Sequence, residues 1–196
     1  MVRIVVVYHS GFGHTAQVAR AVVRGAEAVP ETTVQLIAVE EVPGRFDEFN
    51  AADGIIFGCP TYMAGPSAPF KAFIDSASGL WYQQKWKDKI AAGFTNSGGF
   101  SGDKLATLQA LCLNAMQHGM IWVGTGILAP TTQDPDGPDH RQINRLSSYL
   151  GVMTQSNDVT PDQAPPIGDL QTAELFGRRV AEITGQFVRG RQSTAK

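Results

Sequence analysis

Residues Val2–Tyr8 (VRIVVVY) form an almost unbroken β-branched run, which ends in Ser10-Gly11-Phe12-Gly13-His14-Thr15 and is followed by a helical pattern. A strand with one wet face alternates apolar and polar residues. This run does not, so it reads as a strand covered on both faces, as in a parallel sheet. After the loop, Val18, Val22 and Ala26 recur at helical spacing. A strand, a small-residue loop and a helix N-terminus make an anion site, because free backbone N–H groups and the helix dipole point out of the same place. The loop carries two glycines and two hydroxyls but no lysine. It therefore differs from the loop that cradles nucleotide triphosphates, whose lysine meets the outer phosphates. A phosphate is the expected guest.

Strand and helix patterns alternate along the rest of the chain. Strands are expected at 3–8, 33–39, 53–59, 90–95 and 120–123, with helices at 14–28, 67–76, 102–117 and 169–189. The last helix carries Leu170, Leu175 or Phe176, Val180, Ile183 and Phe187 as its apolar stripe, and Ser67 is placed to cap the second. Five strands alternating with helices predict an α/β fold, a doubly wound parallel sheet with right-handed crossovers in one domain spanning 1–196. Two stretches interrupt the rhythm. Residues 77–89 hold Trp81 and Trp86, and 124–168 is long and rich in Gly, Pro and Asp, a length that marks a functional or interface segment. The formal charge of −2 gives no electrostatic case for nucleic acid. No apolar run approaches the roughly 20 residues of a membrane span, and no signal peptide is visible. Cys59 and Cys112 read as reduced core residues of a cytoplasmic protein. His9, His14 and His140 lack metal-ligand spacing, so no metal site is expected.

The first loop alone is ambiguous, since Gly11-x-Gly13-x-x-Ala16 also satisfies a dinucleotide fingerprint, with Glu40 near the end of the second strand. Two further strand ends bear on the choice. The third strand runs into Pro60-Thr61-Tyr62-Met63-Ala64-Gly65-Pro66, and the fourth into Asn96-Ser97-Gly98-Gly99-Phe100-Ser101-Gly102. In an open α/β sheet the ligand sits beyond the carboxyl ends of the strands at the topological switch point. The first loop offers hydroxyls and amides to a phosphate. The other two offer backbone amides and an aromatic wall to a flat polar ring, and glycine lets the backbone approach such a ring closely. A phosphate at one end and a planar heterocycle at the other describe FMN.

On Ser10–Thr15, Pro60-Thr61-Tyr62, Gly79-Leu80-Trp81, Thr95–Gly102 and His118-Gly119-Met120, the chain resembles the flavodoxin-like FMN oxidoreductases, and most of all the WrbA family of NAD(P)H:quinone oxidoreductases. The resemblance implies a flavodoxin-like five-stranded sheet in the order 2-1-3-4-5, FMN as cofactor, NADPH or NADH as co-substrate, a quinone or similar aromatic acceptor, and a homotetramer with shared sites. It places the phosphate on Ser10, Gly11, Phe12, Gly13, His14 and Thr15. It places the ring against Pro60, Thr61, Tyr62 and Met63, and against Asn96, Ser97, Gly98, Gly99, Phe100 and Ser101. His118 is implied beside the ring as a hydrogen-bond donor or proton source, and Phe12 and Trp81 at the nicotinamide and quinone sites. The chain departs from the family at Tyr62, where an arginine is usual, and at Phe100 and Ser101 in a loop that is otherwise glycine-rich. The sequence of Ser147–Gly151 also differs. Alternative readings are an NAD(P)H-dependent FMN reductase, a flavodoxin-like electron carrier, and an NAD-binding module without flavin.

Overall fold

The structure is a computed structural model and describes residues 1–131 and 136–194. Strands β1 (Val2–Tyr8), β2 (Thr32–Ala38), β3 (Gly54–Tyr62) and β5 (Ile90–Ser97) lie parallel in the order β2-β1-β3-β5. The fifth position is built in two pieces: β6 (Ile121–Trp122) pairs with Ile90 and Ala91, and β7 (Val152–Gln155) pairs with Phe94–Ser97. The flavodoxin-like order is therefore present, but with seven strands rather than five. The seventh, β4 (Gly65–Pro66), is antiparallel to the end of β3.

The fifth strand is split because the chain leaves the sheet after Val123 and returns at Gly151. A methyl on Gly124 would stand 2.6 Å from the Tyr149 carbonyl oxygen, and one on Gly151 would collide with the Gly93 carbonyl. Only bare backbone fits at both crossings. The ends are tied by Thr125 N–H to the Tyr149 carbonyl (2.9 Å) and by Trp122 Nε1–H to the Leu150 carbonyl (2.8 Å). Residues 132–135 of the long segment lie outside the described residues.

Alternate residues of β1 enter opposite cores, as the pleat requires. Ile4 and Val6 pack with α1 (His14–Glu27) and α6 (Ile167–Thr194). Val5 and Val7 pack with α2 (Phe46–Ala51), α3 (Ala68–Ser76) and α5 (Lys104–Gln117), the face where Phe49, Phe57, Phe73 and Trp86 cluster. The stripe of α6 runs through Phe176, which is buried, and not through the exposed Leu175. Two short helices went unanticipated, α2 and α4 (Ser78–Tyr82), each under two turns and too short to show a helical period. Cys59 is buried, whereas Cys112 on α5 is only half-buried. Trp86 is a core residue, with only Trp81 and Tyr82 of the connector's aromatics exposed.

Helices α1 and α6 meet backbone to backbone. A methyl on Gly25 would strike the Glu174 carbonyl, and one on Gly177 the Val22 carbonyl. We predict that Gly177→Val forces the helices apart and costs about 3 kcal/mol, since overpacking of a well-filled contact is itself destabilising. Gly79→Ala, with open space around the new methyl, should leave the urea midpoint unchanged or slightly raised. Equal midpoints for the two variants would contradict this packing account.

Candidate functional site

β1 delivers its carboxyl end to the centre of the sheet, where His9 N–H bonds the Gly58 carbonyl at 3.0 Å. The chain then turns through Gly13, at φ 89°, into α1. Gly13 stands in the capping position without a side chain, and Ser10 compensates from outside the helix by accepting the Ala16 N–H at 3.1 Å. Among the described residues, the N–H groups of Gly11 to Thr15 meet no protein acceptor, and neither do those of Gly98 to Asp103. These two runs of free donors occupy the loops after β1 and β5, the strands that flank β3. Most of these residues are exposed, so water satisfies their amides, and a ligand that displaces it would find the donors already in place.

The loops border one cleft of about 760 Å³. Phe12, His14, Thr15, Pro60, Thr61, Tyr62, Asn96 and Gly98 all line it, which brings together residues from all three of the strand-end loops read from sequence. The rings of Phe12 and Tyr62 meet edge-on with centroids 6.4 Å apart. A methyl on Gly11 would come within 2.6 Å of the Tyr62 hydroxyl, so glycine there is what lets the tyrosine lean over the loop. Burial pushes the Tyr62 hydroxyl up, and it stays protonated near neutrality. A fourth wall, Ser156–Pro161, was not singled out from sequence beyond the length of its parent segment. It follows β7 and is tethered by His14 Nε2 to the Val159 carbonyl oxygen at 2.7 Å.

The site rests on a rigid base. Thr61 Oγ1 lies 2.8 Å from both Thr95 Oγ1 and Thr107 Oγ1, and Thr95 donates to the Cys59 carbonyl at 2.7 Å, joining β3, β5 and α5. The Asn96 amide donates to Ser156 Oγ (2.9 Å) and accepts from Thr154 Oγ1 (2.8 Å), so its side chain holds the fourth wall in place. Ser67 occupies the N-cap position of α3 as expected, but its hydroxyl makes no capping bond and meets His9 Nδ1 at 2.8 Å instead. Met63 and Ala64 both adopt left-handed φ, 47° and 62°, in the tight turn that folds β4 back on β3. That turn type favours glycine or asparagine, so Met-Ala carries backbone strain at the rim of the cleft. Burial pushes the Cys59 thiol up to about 12, which keeps it protonated and unreactive.

Beneath the Gly98–Ser101 loop lies a buried ion pair. The Arg145 fork meets Asp169 at 2.7 and 3.2 Å, and Asp169 also accepts the Gln155 N–H at 2.8 Å. Gln155 continues to the Gly98 carbonyl at 3.1 Å. Phe100 lies over the Arg145 guanidinium, 5.3 Å from its ring centroid.

Of the residues read from sequence, Phe100 and Ser101 line a separate hollow with Arg145 and Tyr149, and His118 and Trp81 also stand apart from this cleft in the same chain. His118 ends α5 at the opposite, amino-terminal edge of the sheet, stacked on Trp86 with centroids 4.4 Å apart. Burial holds its pKa below the usual value, so the ring is neutral, and its Nδ1 has no partner among the described residues. Trp81, in α4, is 44% exposed. No group of three or more metal-ligating side chains occurs among the described residues, nor any helix long and apolar enough to cross a membrane.

The sequence is similar over nearly its whole length to curated proteins. It is 40% identical to flavodoxin FldP of Pseudomonas aeruginosa, over 95% of this chain and 99% of that protein. It is 33% identical to an NAD(P)H dehydrogenase (quinone) of Archaeoglobus fulgidus, over 93% and 97%. Residues 40–134 match the family model for NADPH-dependent FMN reductase. The fold superposes on a flavodoxin, WrbA-like protein from Agrobacterium tumefaciens with a TM-score of 0.75 and 41% identity, covering 95% of this chain and 99% of that one. The chain belongs to the WrbA-like, flavodoxin-like family.

Within this family fold, the ion pair under the third loop sets a local stability requirement. Asp169→Asn would leave Arg145 buried without its counter-charge, and we predict a loss of roughly 3–5 kcal/mol. The double variant Arg145→Met/Asp169→Leu should lose less than that. A urea midpoint for Asp169→Asn matching the parent protein would show that the pair is not the anchor of β7.

Proposed function

We propose that this chain is an FMN-dependent oxidoreductase that carries two electrons from NAD(P)H to a quinone or similar aromatic acceptor, with the whole chain acting as one FMN-binding domain. The observation that carries this reading is the free-donor run Gly11–Thr15 beside a cleft large enough for a ligand the size of FMN, which Gly98 of the second run also lines. The donor set fits the cofactor. Five amides at the head of a 14-residue helix suit a phosphate dianion, and the second run suits the carbonyls and nitrogens of a planar ring. Names of relatives, a quinone dehydrogenase and an FMN reductase family, support the same chemistry.

In this reading Ser10 orients the head of α1, while Gly11 to Thr15 bind the phosphate through backbone N–H groups and the Thr15 hydroxyl. Pro60 to Met63 and Asn96 to Ser101 flank the ring, with Phe12 and Tyr62 covering its edge and the Ser156–Pro161 wall excluding water. FMN held here supplies the hydride acceptor and donor, so the protein's task is to orient the two substrates in turn. Phe12 and Tyr62, 75% and 38% exposed, give the mouth of the cleft an apolar rim. A rim of that kind marks a contact surface.

Trp81 and His118 enter the same scheme as contributions from a neighbouring copy. They lie at the amino-terminal edge of the sheet in their own chain, and a homotetramer with shared sites would bring them to another chain's rim. His118 is only 3% exposed in its own chain, so assembly would have to uncover its neutral ring before it could donate a hydrogen bond to the acceptor. The protein is assigned to the cytoplasm, in keeping with two unpaired cysteines. Similarity to a protein named flavodoxin favours a second reading, a carrier without a substrate of its own. The charge of −2 speaks against it, since carriers dock on basic partners through acidic surfaces.

Rapid mixing of the FMN-loaded protein with NADPH or NADH separates the two. Direct bleaching of the flavin, followed by recovery on adding a quinone, is the expected result. No bleaching by either nicotinamide, with ready reduction by a protein donor, would establish the carrier. Light scattering should show a tetramer whose quinone KM rises in Trp81→Ala, and a fully active monomer would remove the shared site.

A further inference from the structure

Lys104 opens α5 and is fully buried, yet nothing in the scheme above uses it. Its ammonium donates to the Gly99 carbonyl at 2.6 Å and to Ser97 Oγ at 2.8 Å, from beneath the loop that carries the second run of free N–H groups. Nearby, Arg145 is committed to Asp169, with one guanidinium nitrogen, Nη1, buried and unpartnered among the described residues. The cluster thus holds two cations against one carboxylate.

Burial lowers the Lys104 pKa to about 8, the Arg145 charge pushing the same way and Asp169 opposing. Burial also raises the Asp169 carboxyl against the pull of Arg145 and the Gln155 N–H. A methionine would fill the same space without the cost of desolvating a charge. The residual positive charge therefore works against folding. It coincides with the amide run at Gly98–Asp103 and with the positive end of the α5 dipole. Three sources of positive potential meet at one loop.

We propose that Lys104 is a positioning residue of the flavin site: its ammonium pins the Gly98–Ser101 loop through Gly99 and Ser97, and the uncompensated charge favours the reduced cofactor. The proposal rests on the FMN reading above. Hydride transfer from NAD(P)H brings two electrons and one proton, releases the oxidised nicotinamide, and leaves the flavin ring one charge more negative until a second proton follows. A fixed cation beside the ring loop stabilises that added charge, and because the loop is already held, nothing need reorganise as the charge arrives.

The test compares wild type, Lys104→Gln and Lys104→Met as holoproteins, with the midpoint potential read by equilibration against a reference dye and FMN affinity by fluorescence titration. Both variants should favour reduced over oxidised FMN about tenfold less than wild type, a fall of roughly 30 mV for a two-electron couple. Lys104→Gln retains a donor for Gly99 and should bind oxidised FMN nearly as well as wild type, whereas Lys104→Met should bind it markedly less well. Wild-type potentials in both variants would overturn the charge role, and wild-type affinity in Lys104→Met would overturn the positioning role. Failure of the wild type to bind FMN at all would instead overturn the functional reading beneath it. If the variants do not fold, the wild type still decides the charge role. Its potential should fall more steeply as pH rises through about 8, where Lys104, facing Arg145 and Asp169, loses its proton. An unchanged slope there contradicts the charge role.

Discussion

Backbone N–H groups in a folded chain need acceptors, and two sets at the carboxyl edge of the sheet have no protein acceptor among the described residues. The first arises because β1, buried on both faces, ends at the centre of the sheet and feeds directly into α1, whose opening amides have no intrahelical partner. Much of the surrounding architecture keeps these donors in place and free. Gly13 makes the left-handed turn into α1, and Ser10 takes up the Ala16 N–H alone. The threonine network under Thr61 fixes the β3 end alongside. A helix start without these supports would be satisfied by water and carry no shape.

The split fifth strand has a functional consequence. By leaving the sheet at Gly124 and returning at Gly151, the chain brings β7 beside the carboxyl half of β5, and the residues after β7 form the fourth wall of the cleft. An uninterrupted strand at that position would have passed on into the next helix sooner. Asn96 and the His14–Val159 contact then tie this wall to two of the other three loops. The strained Met63–Ala64 turn and the buried charges of Lys104, Arg145 and Asp169 lie at the same edge. Local departures from the most stable choice are concentrated where the ligand is expected, the pattern of a site maintained against folding stability.

Where the sequence carries a strong period, it was sufficient. The seven-residue run of β1, the Val18–Val22–Ala26 stripe and the alternation of strands with helices specify a parallel sheet with helices on both faces and the place of the loop between β1 and α1. Eight residues taken from three loops line one cleft, because strand-end loops of a parallel sheet all emerge on one edge. What escaped depends on contacts between distant residues. The break in the fifth strand is fixed by the backbone approach of Gly151 to Gly93, and no local pattern announces it. Ser156–Pro161 is a wall only because β7 pairs with β5, and α2 and α4 are shorter than the helical period can reveal. His118 and Trp81 illustrate another limit. A motif gives a residue's place along the chain, and in one copy of this fold that place is across the sheet from the cleft.

In the proposed function the free amides of Gly11 to Thr15 bind a phosphate. FMN and riboflavin share the same ring and differ by that phosphate alone, so titrating the apoprotein with each isolates its contribution. FMN should bind at least a hundredfold more tightly than riboflavin, about 2.7 kcal/mol by the relation between dissociation constant and free energy, with the difference narrowing as inorganic phosphate is added. Equal affinities for the two, or a preference indifferent to phosphate, would contradict it.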